Sequence, residues 1–259
     1  MDRKWQRPWF AATAACVFAG IVIQLFVSAN NNKLFGGTAL GRALNIFVFF
    51  TIQSNLIVGA TTLLLAINPN RSSTVFSAFR PTGVVAIAVT FIVFHIALSQ
   101  LLELDRWAEA ANQLQHTVVP VLALAGWLMF GPRGVTSARV ARLTVIFPLA
   151  YMGFTLIRGP LASDFYPYPF ANPKQLGCVA VTINAFWIAL LFVALAAATT
   201  ALDKRLAASA RAALAELAVL VEWGRSPGHH ATNRNRPSVS AGPVAPDHSF
   251  VLRSLLRRC

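Results

Sequence analysis

Long uninterrupted apolar runs dominate the first 202 residues of the chain, and neither a helical stripe nor strand alternation interrupts them. Each run is long enough to cross about 30 Å of hydrocarbon at about 1.5 Å per residue. A helix satisfies its own backbone hydrogen bonds in lipid, so the pattern predicts an all-α, polytopic membrane protein. The six runs lie at 9–29, 44–67, 82–102, 114–130, 141–158 and 176–202.

The chain divides into three parts by composition. Residues 1–202 hold the six apolar runs and predict a six-helix transmembrane domain. Residues 203–223 are rich in Ala and Leu with scattered charges, which predicts an amphipathic or juxtamembrane helix. In residues 224–259 Pro, Gly, Ser, Asn and Arg dominate, which predicts a disordered basic tail.

The charge of the chain carries topology information. There are 22 Lys and Arg against 9 Asp and Glu, a net charge of +13, while 56% of all residues are hydrophobic. The basic residues lie between the apolar runs, so we expect them to contact lipid headgroups, and we expect no nucleic-acid partner. Their excess on the side of the N-terminus predicts a plasma (inner) membrane protein with both termini in the cytoplasm.

The first run has two interpretations. Basic residues precede it and Val27-Ser28-Ala29 resembles a signal-peptide cleavage site, but its apolar stretch is longer than a usual signal core, which favours a retained helix. The three cysteines predict neither a disulfide framework nor a metal site, and we expect no cofactor.

The polar residues inside the runs converge on one depth. The fourth run opens with His116, and an ionisable ring where apolar core begins indicates a functional site. With the predicted topology, the polar segment 51–55 of the second run and His95 of the third run also fall in the outer half of the bilayer. The outer loop 164–170 carries Tyr168 between prolines, which suits a lid or a surface anchor. We therefore predict a shallow polar pocket facing away from the cytoplasm.

Structural roles compete with this interpretation. Ser and Asn side chains such as Ser54 and Asn55 commonly form hydrogen bonds with neighbouring membrane helices. The Thr51 hydroxyl is equally able to donate to a backbone carbonyl of its own helix. A histidine placed like His95 more often has a structural than a catalytic role. For His116 an interfacial position at the membrane surface is a second interpretation.

The same residues resemble a known family. Phe50-Thr51 with Gln53-Ser54-Asn55, then Asn112, His116-Thr117 and Pro120, then Tyr168-Pro169-Phe170 are similar to motifs of the bacterial predicted six-span membrane proteins called Pr-six-Pr. More distantly they resemble the eukaryotic androgen-induced-protein family, six-helix hydrolases that cleave fatty acid esters of hydroxy fatty acids. The resemblance covers about residues 5 to 202. It departs at Gln113, where the eukaryotic pattern has a second histidine, and in the shorter spacing before Pro120.

The resemblance implies Thr51 as nucleophile and His116 as base, in a lipid-ester hydrolase. An imidazole is suited to take the hydroxyl proton, and a tetrahedral oxyanion then needs donors. The orienting partner of His116 is expected to be a backbone carbonyl, Glu103 or Asp105. We expect six residues to bind substrate or oxyanion: Gln53, Ser54, Asn55, His95, Asn112 and Tyr168.

Two other functions remain open. One is a non-enzymatic carrier or binding protein for a small amphiphile, which would retain ligand without cleaving it. The other is a haem protein with His95 and His116 as axial ligands, although a six-helix cytochrome with two haems needs four such histidines. Membrane lipids and a lipid-like small molecule are the expected partners.

Overall fold

A computed structural model describes residues 3–31, 37–101 and 103–225. Within these ranges every regular element is a helix and no strand occurs, which confirms the all-α prediction for that part of the chain. The eight α-helices of the described residues are, in chain order, α1 Gln6–Asn30, α2 Ala39–Leu44, α3 Phe50–Ile67, α4 Thr74–Val93, α5 Arg106–Gln113, α6 Val119–Phe130, α7 Ala138–Leu161 and α8 Pro173–Arg225. Helix α8 is kinked near its start at Gly177, whose φ of 79° and ψ of 158° are not helical.

Among the described residues, six helical stretches are long and apolar enough to cross a membrane, judged by length and composition. Three of them combine consecutive elements. The first joins a 3-10 turn, Arg3–Trp5, to α1. Helix α4 continues through a π-helical segment, Phe94–Leu98, and a short 3-10 turn to Leu101. Helices α5 and α6 join through a second π-helical segment, Leu114–Val118. This arrangement agrees with a membrane protein built from several apolar helices.

The second apolar run is the place where the observed helices differ most from the predicted ones. The pattern predicts one helix over 44–67, but the chain forms α2, a 3-10 turn over Asn45–Val48 and an extended residue, Phe49, before α3 begins. Apolarity measures partition into lipid and does not report a backbone break. The other runs extend beyond their predicted ends by helical turns that carry charges, such as the start of α5.

Helix α1 packs against α3, α5 and α6, while α4 packs against α3 and α7. One core cluster joins α1, α3, α4 and α6 around Val17, Val58 and Ile87. A second surrounds Phe50, whose ring lies 5.1 Å from Tyr151 and 5.7 Å from Phe192 between centroids. The second cluster fixes the start of α3 against α7 and α8.

A buried carboxylate joins α8 to the segment between α6 and α7. Asp203 of α8 is completely buried and accepts hydrogen bonds from the backbone N–H groups of Gly134 and Thr136 and from the Thr136 hydroxyl, at 2.6–3.1 Å. Buried charge is tolerated when hydrogen bonds replace its lost hydration. Asp203 thereby ties α8 to the connection between α6 and α7.

The chain separates into a unit of residues 2–207 and a second unit that begins at Ala208. Residues 208–225 of the second unit continue α8, and their large apolar side chains, Leu214 to Trp223, are exposed. The predicted disordered tail, 224–259, lies outside the described residues from residue 226 onward.

Candidate active site

The break at Phe49 puts Thr51 in the first turn of α3. The first backbone N–H groups of a helix have no partner inside it. Here the Thr51 N–H donates to the phenolic oxygen of Tyr168 at 3.1 Å. The loop after α7 therefore supplies an acceptor at the beginning of α3.

The side chains of Thr51, His116 and Tyr168 form one hydrogen-bonded group. Thr51 Oγ1 lies 3.2 Å from His116 Nε2 and 3.2 Å from the Tyr168 hydroxyl. On its other side, His116 Nδ1 lies 3.1 Å from the backbone carbonyl oxygen of Asn112. The three side chains come from α3, the second π-helical segment and the α7–α8 loop.

This geometry assigns the protons. A carbonyl oxygen only accepts, so in the neutral ring Nδ1 carries the hydrogen and Nε2 is an acceptor. The Thr51 hydroxyl then donates to Nε2 and is free to accept from the Tyr168 O–H, while Tyr168 accepts the Thr51 N–H. Every hydrogen has one acceptor. The threonine proton thus points at a basic nitrogen, which is the arrangement an activated hydroxyl nucleophile needs.

The orientation of His116 follows from its π-helical segment. The wider turn carries a backbone hydrogen bond from Val119 to Leu114, five residues apart, and π segments inside helices are frequent at functional sites. The ring of Phe94, in the facing π-helical segment, stacks on His116 with centroids 4.1 Å apart and planes 20° apart. The Asn112 carbonyl and Phe94 together restrict the imidazole to one position.

Three predicted binding residues of α3 have other partners. Ser54 bonds the Thr51 carbonyl and the Thr90 hydroxyl, both at 3.0 Å. The Asn55 amide donates to the carbonyls of Thr51 and Gln115 at 2.8 and 3.2 Å. The Gln53 amide donates to the Phe47 carbonyl at 3.0 Å. These side chains hold the backbone around Thr51, and none of these hydrogen bonds is directed at Thr51 Oγ1.

His95 and Asn112 lie beside the central group. His95 Nδ1 is 2.8 Å from the Phe91 carbonyl and its Nε2 is 3.4 Å from the Thr117 hydroxyl. The Asn112 side chain donates to the carboxylate of Glu109 at 3.3 Å, while its backbone carbonyl contacts His116. The orienting group of His116 is thus a backbone carbonyl, one of the alternatives that sequence reasoning left open. Asp105, another of them, caps the N-terminus of α5.

Gln115 is a site residue that sequence reasoning missed. Its amide donates to the Gly20 carbonyl at 2.9 Å, and it is buried between α1 and α3. A Cβ at Gly20 would lie 3.2 Å from the Cβ of Leu114, so the close approach of α1 to the π-helical segment depends on glycine. Gln115 directly precedes the singled-out His116, but only the packing of α1 reveals its role.

Tyr168 is held by rings and by its hydroxyl. Phe170 stacks on it with centroids 5.1 Å apart, and the Phe170 carbonyl accepts from the Asn184 amide of α8 at 3.0 Å. Burial raises the pKa of Tyr168 above its ordinary value, against the opposing effect of its hydrogen bonds to Thr51. The phenol therefore remains a protonated donor at neutral pH.

Two cavities open on either side of Thr51. The first has a volume of about 60 Å³ between α4, α7 and α8, and the second has about 310 Å³ between α1, α3, α5 and the α7–α8 loop. Only the second cavity reaches the size range of small-molecule sites. Five residues line both cavities: Thr51, Phe94, Leu98, His116 and Tyr168.

No family model matches the chain, and no curated protein or solved structure is significantly similar to it. The roles of Thr51 and His116, and the resemblance that suggested them, therefore stay predictions.

Proposed function

We propose that the protein is an integral membrane hydrolase that cleaves lipid esters with Thr51 as nucleophile and His116 as base. The observation that carries the proposal is the 3.2 Å contact between Thr51 Oγ1 and His116 Nε2, with Nδ1 on the Asn112 carbonyl. A hydroxyl polarised by an imidazole, itself oriented by a third group, is the arrangement shared by nucleophilic hydrolases.

The reaction would proceed through an acyl-enzyme. Thr51 Oγ1 attacks the ester carbonyl carbon while its proton passes to His116 Nε2. The Tyr168 O–H, released from Thr51, donates a hydrogen bond to the oxyanion. The partial positive charge of the N–H groups at the start of α3 stabilises the same oxyanion. His116 returns the proton to the departing alkoxide. Water then attacks the threonine ester with His116 again as base, which releases the fatty acid and restores the hydroxyl.

A lipid substrate is supported by the surroundings of the pair. The first cavity is bordered by apolar side chains of helices long enough to cross a membrane, including Val93, Met152 and Ile188. An acyl chain loses little in moving from bilayer to such a cavity. We further propose that six helices cross the plasma membrane with both termini and the tail in the cytoplasm, so that the site faces outward.

The proposal is tested on Thr51 by paired variants. Thr51→Val removes the hydroxyl at constant shape and is expected to reduce kcat/KM for a long-chain ester by about 10³-fold or more, while Thr51→Ser retains measurable turnover. Wild type should also react covalently with a fluorophosphonate probe, and Thr51→Val should not. Thr62→Val is the matched control, since Thr62 is a buried threonine of α3 whose hydroxyl bonds the Val58 carbonyl. Full activity in Thr51→Val would overturn the proposal.

The two histidines provide a second test. His116→Gln is expected to lower kcat by about 10²- to 10⁴-fold, the range of general-base catalysis. His95→Gln, which alters the other π-helical segment without contacting Thr51, is expected to stay within about threefold of wild type, because a surface substitution away from the reacting atoms has small effects. Equal losses in both variants would assign His116 a structural role.

A carrier of amphiphiles is the alternative that the volume of the second cavity favours. Such a protein would retain a lipid through purification without hydrolysing esters, and Thr51→Val would leave retention unchanged.

A further inference from the structure

The two cavities beside Thr51 differ in chemistry. We call the one between α4, α7 and α8 the acyl cavity and the one between α1, α3 and α5 the amide cavity. Since Thr51, His116 and Tyr168 line both, an ester carbonyl at Thr51 Oγ1 would have one arm in each. The lining of each cavity then selects which arm it takes.

The acyl cavity has almost no free hydrogen-bonding group for a polar ligand. Apart from the shared catalytic group, its polar lining consists of Thr90 and Tyr151, whose hydroxyls already bond Ser54 and the Val48 carbonyl. Its other walls are aliphatic and aromatic. A hydroxylated alcohol placed there would lose hydration without replacement, whereas a hydrocarbon chain would not.

The amide cavity is lined mainly by apolar side chains, but it has more polar lining residues than the acyl cavity. Side chains that carry amides or a hydroxyl line it: Gln24, Ser28, Asn31, Asn112 and Gln115. None of its described lining residues is Asp, Glu, Lys or Arg. The amide N–H groups of Gln24, Asn112 and Gln115 already donate within the protein, so their carbonyl oxygens are the groups left to accept hydrogen bonds from a ligand rich in hydroxyl groups. A carboxylate or phosphate would enter without a cation to offset its lost hydration.

We infer that the substrate is the ester of a long-chain fatty acid with an uncharged polyhydroxy alcohol, with the carboxyl end of the acyl chain in the acyl cavity and the alcohol in the amide cavity. The inference rests on the proposed hydrolase function and adds the substrate class to it. Hydrolysis breaks the acyl carbon–oxygen bond, adds water and yields a free fatty acid and the neutral alcohol.

The test compares three esters of the same fatty acid with the purified full chain in lipid nanodiscs: a monoacylglycerol, an ester of a hydroxy acid with a free carboxylate, and a lysophosphatidylcholine. The expected result is a kcat/KM for the monoacylglycerol at least about tenfold above the other two, since an unpaired buried group strongly disfavours a ligand. Equal or faster turnover of the carboxylate ester would overturn the inference and leave the hydrolase function standing. Hydrolysis of none of the three would overturn both.

A charge introduced into the amide cavity tests the assignment of its occupant. Gln24→Lys is expected to raise the ratio of carboxylate-ester to monoacylglycerol turnover by about tenfold, because it supplies the missing cation. Asn30→Lys adds the same charge at the exposed end of α1, where residue 30 does not line the cavity, and should leave the ratio unchanged. Identical ratios in the two variants would contradict the assignment.

A larger side chain in the acyl cavity tests whether the acyl chain of the substrate enters this cavity. Ile188→Trp is expected to shift the preferred monoacylglycerol toward shorter acyl chains while the preference among alcohols stays fixed. Leu190→Trp is the matched control on α8, since Leu190 is exposed and does not line the cavity. A changed alcohol preference in Ile188→Trp, with chain-length preference unaltered, would reverse the two assignments and overturn the inference.

Discussion

Tyr168→Phe separates the proposed chemistry from packing, because it removes one oxygen and keeps the ring. The hydroxyl lies 3.2 Å from Thr51 Oγ1 and 3.1 Å from the Thr51 backbone nitrogen. If it donates to the oxyanion, its loss should lower kcat by about 10²- to 10³-fold, or about 2.7–4 kcal/mol of transition-state stabilisation. The ring contacts with Phe49 and Phe170 persist, so the loop should keep its position.

The stability cost of Tyr168→Phe should be much smaller than the catalytic cost. Two neutral hydrogen bonds contribute about 0.5–1.5 kcal/mol each, and both cavities reach this point, so water can replace part of the loss. Thermal unfolding in detergent should therefore change by only a few degrees. Loss of activity together with large-scale unfolding would indicate a structural hydroxyl.

Tyr151→Phe is the matched control. Tyr151 lines the acyl cavity but donates its hydroxyl to the Val48 carbonyl at 3.1 Å. We expect a stability loss of about 1 kcal/mol with kcat within about threefold of wild type. Steady-state kinetics on a long-chain ester measures both variants. If Tyr168→Phe kept wild-type kcat, or if Tyr151→Phe lost as much, the role given to Tyr168 would be refuted.

Further predictions concern pH and stability. Burial raises the folded-state pKa of Tyr168, so the protonated phenol contributes its full stability below the unfolded-state pKa of about 10. This contribution should decrease as the pH rises above that value. The free energy of unfolding, measured at pH 8 and pH 11, should therefore be lower at pH 11. Arg80 is completely buried with no hydrogen-bond partner for its guanidinium among the described residues, so Arg80→Met should leave thermal stability unchanged or raise it, and a marked decrease would contradict this view. Asp203→Asn replaces one of the two acceptor oxygens with an NH₂ group that faces another donor, and should cost about 2–3 kcal/mol in chemical unfolding. Gly20→Val should lower activity and stability together, because its side chain meets Leu114, whereas unchanged activity would show that the α1 contact is dispensable.

Much of the candidate site could be anticipated because its residues stand out in apolar surroundings. His116 and the polar segment 51–55 are recognisable because polar groups within hydrocarbon-length runs are costly, whereas the resemblance singled out Thr51 within that segment. Their shared depth follows from counting helical turns in alternating directions. Their distances do not, since helical rise gives height along a helix and says nothing about rotation around it.

Other features of the site depend on contacts between distant segments. Gln115 became a site residue because Gly20, far away in sequence, lets α1 approach it. Phe94 acquired its role by facing His116 from another helix. No spacing in either segment encodes these pairings, because each depends on the partner that packs against it.

The sequence by itself determined an all-helical chain with apolar helices of membrane-crossing length, since burying backbone polar groups in hydrocarbon leaves few other solutions. Only the tertiary structure decided where the second run breaks. This break leaves the Thr51 N–H without an acceptor inside α3, and the N–H donates to the Tyr168 oxygen instead. The physical reason is that hydropathy is a property of each residue summed along the chain. A backbone break and a proton path between three segments are properties of their packing.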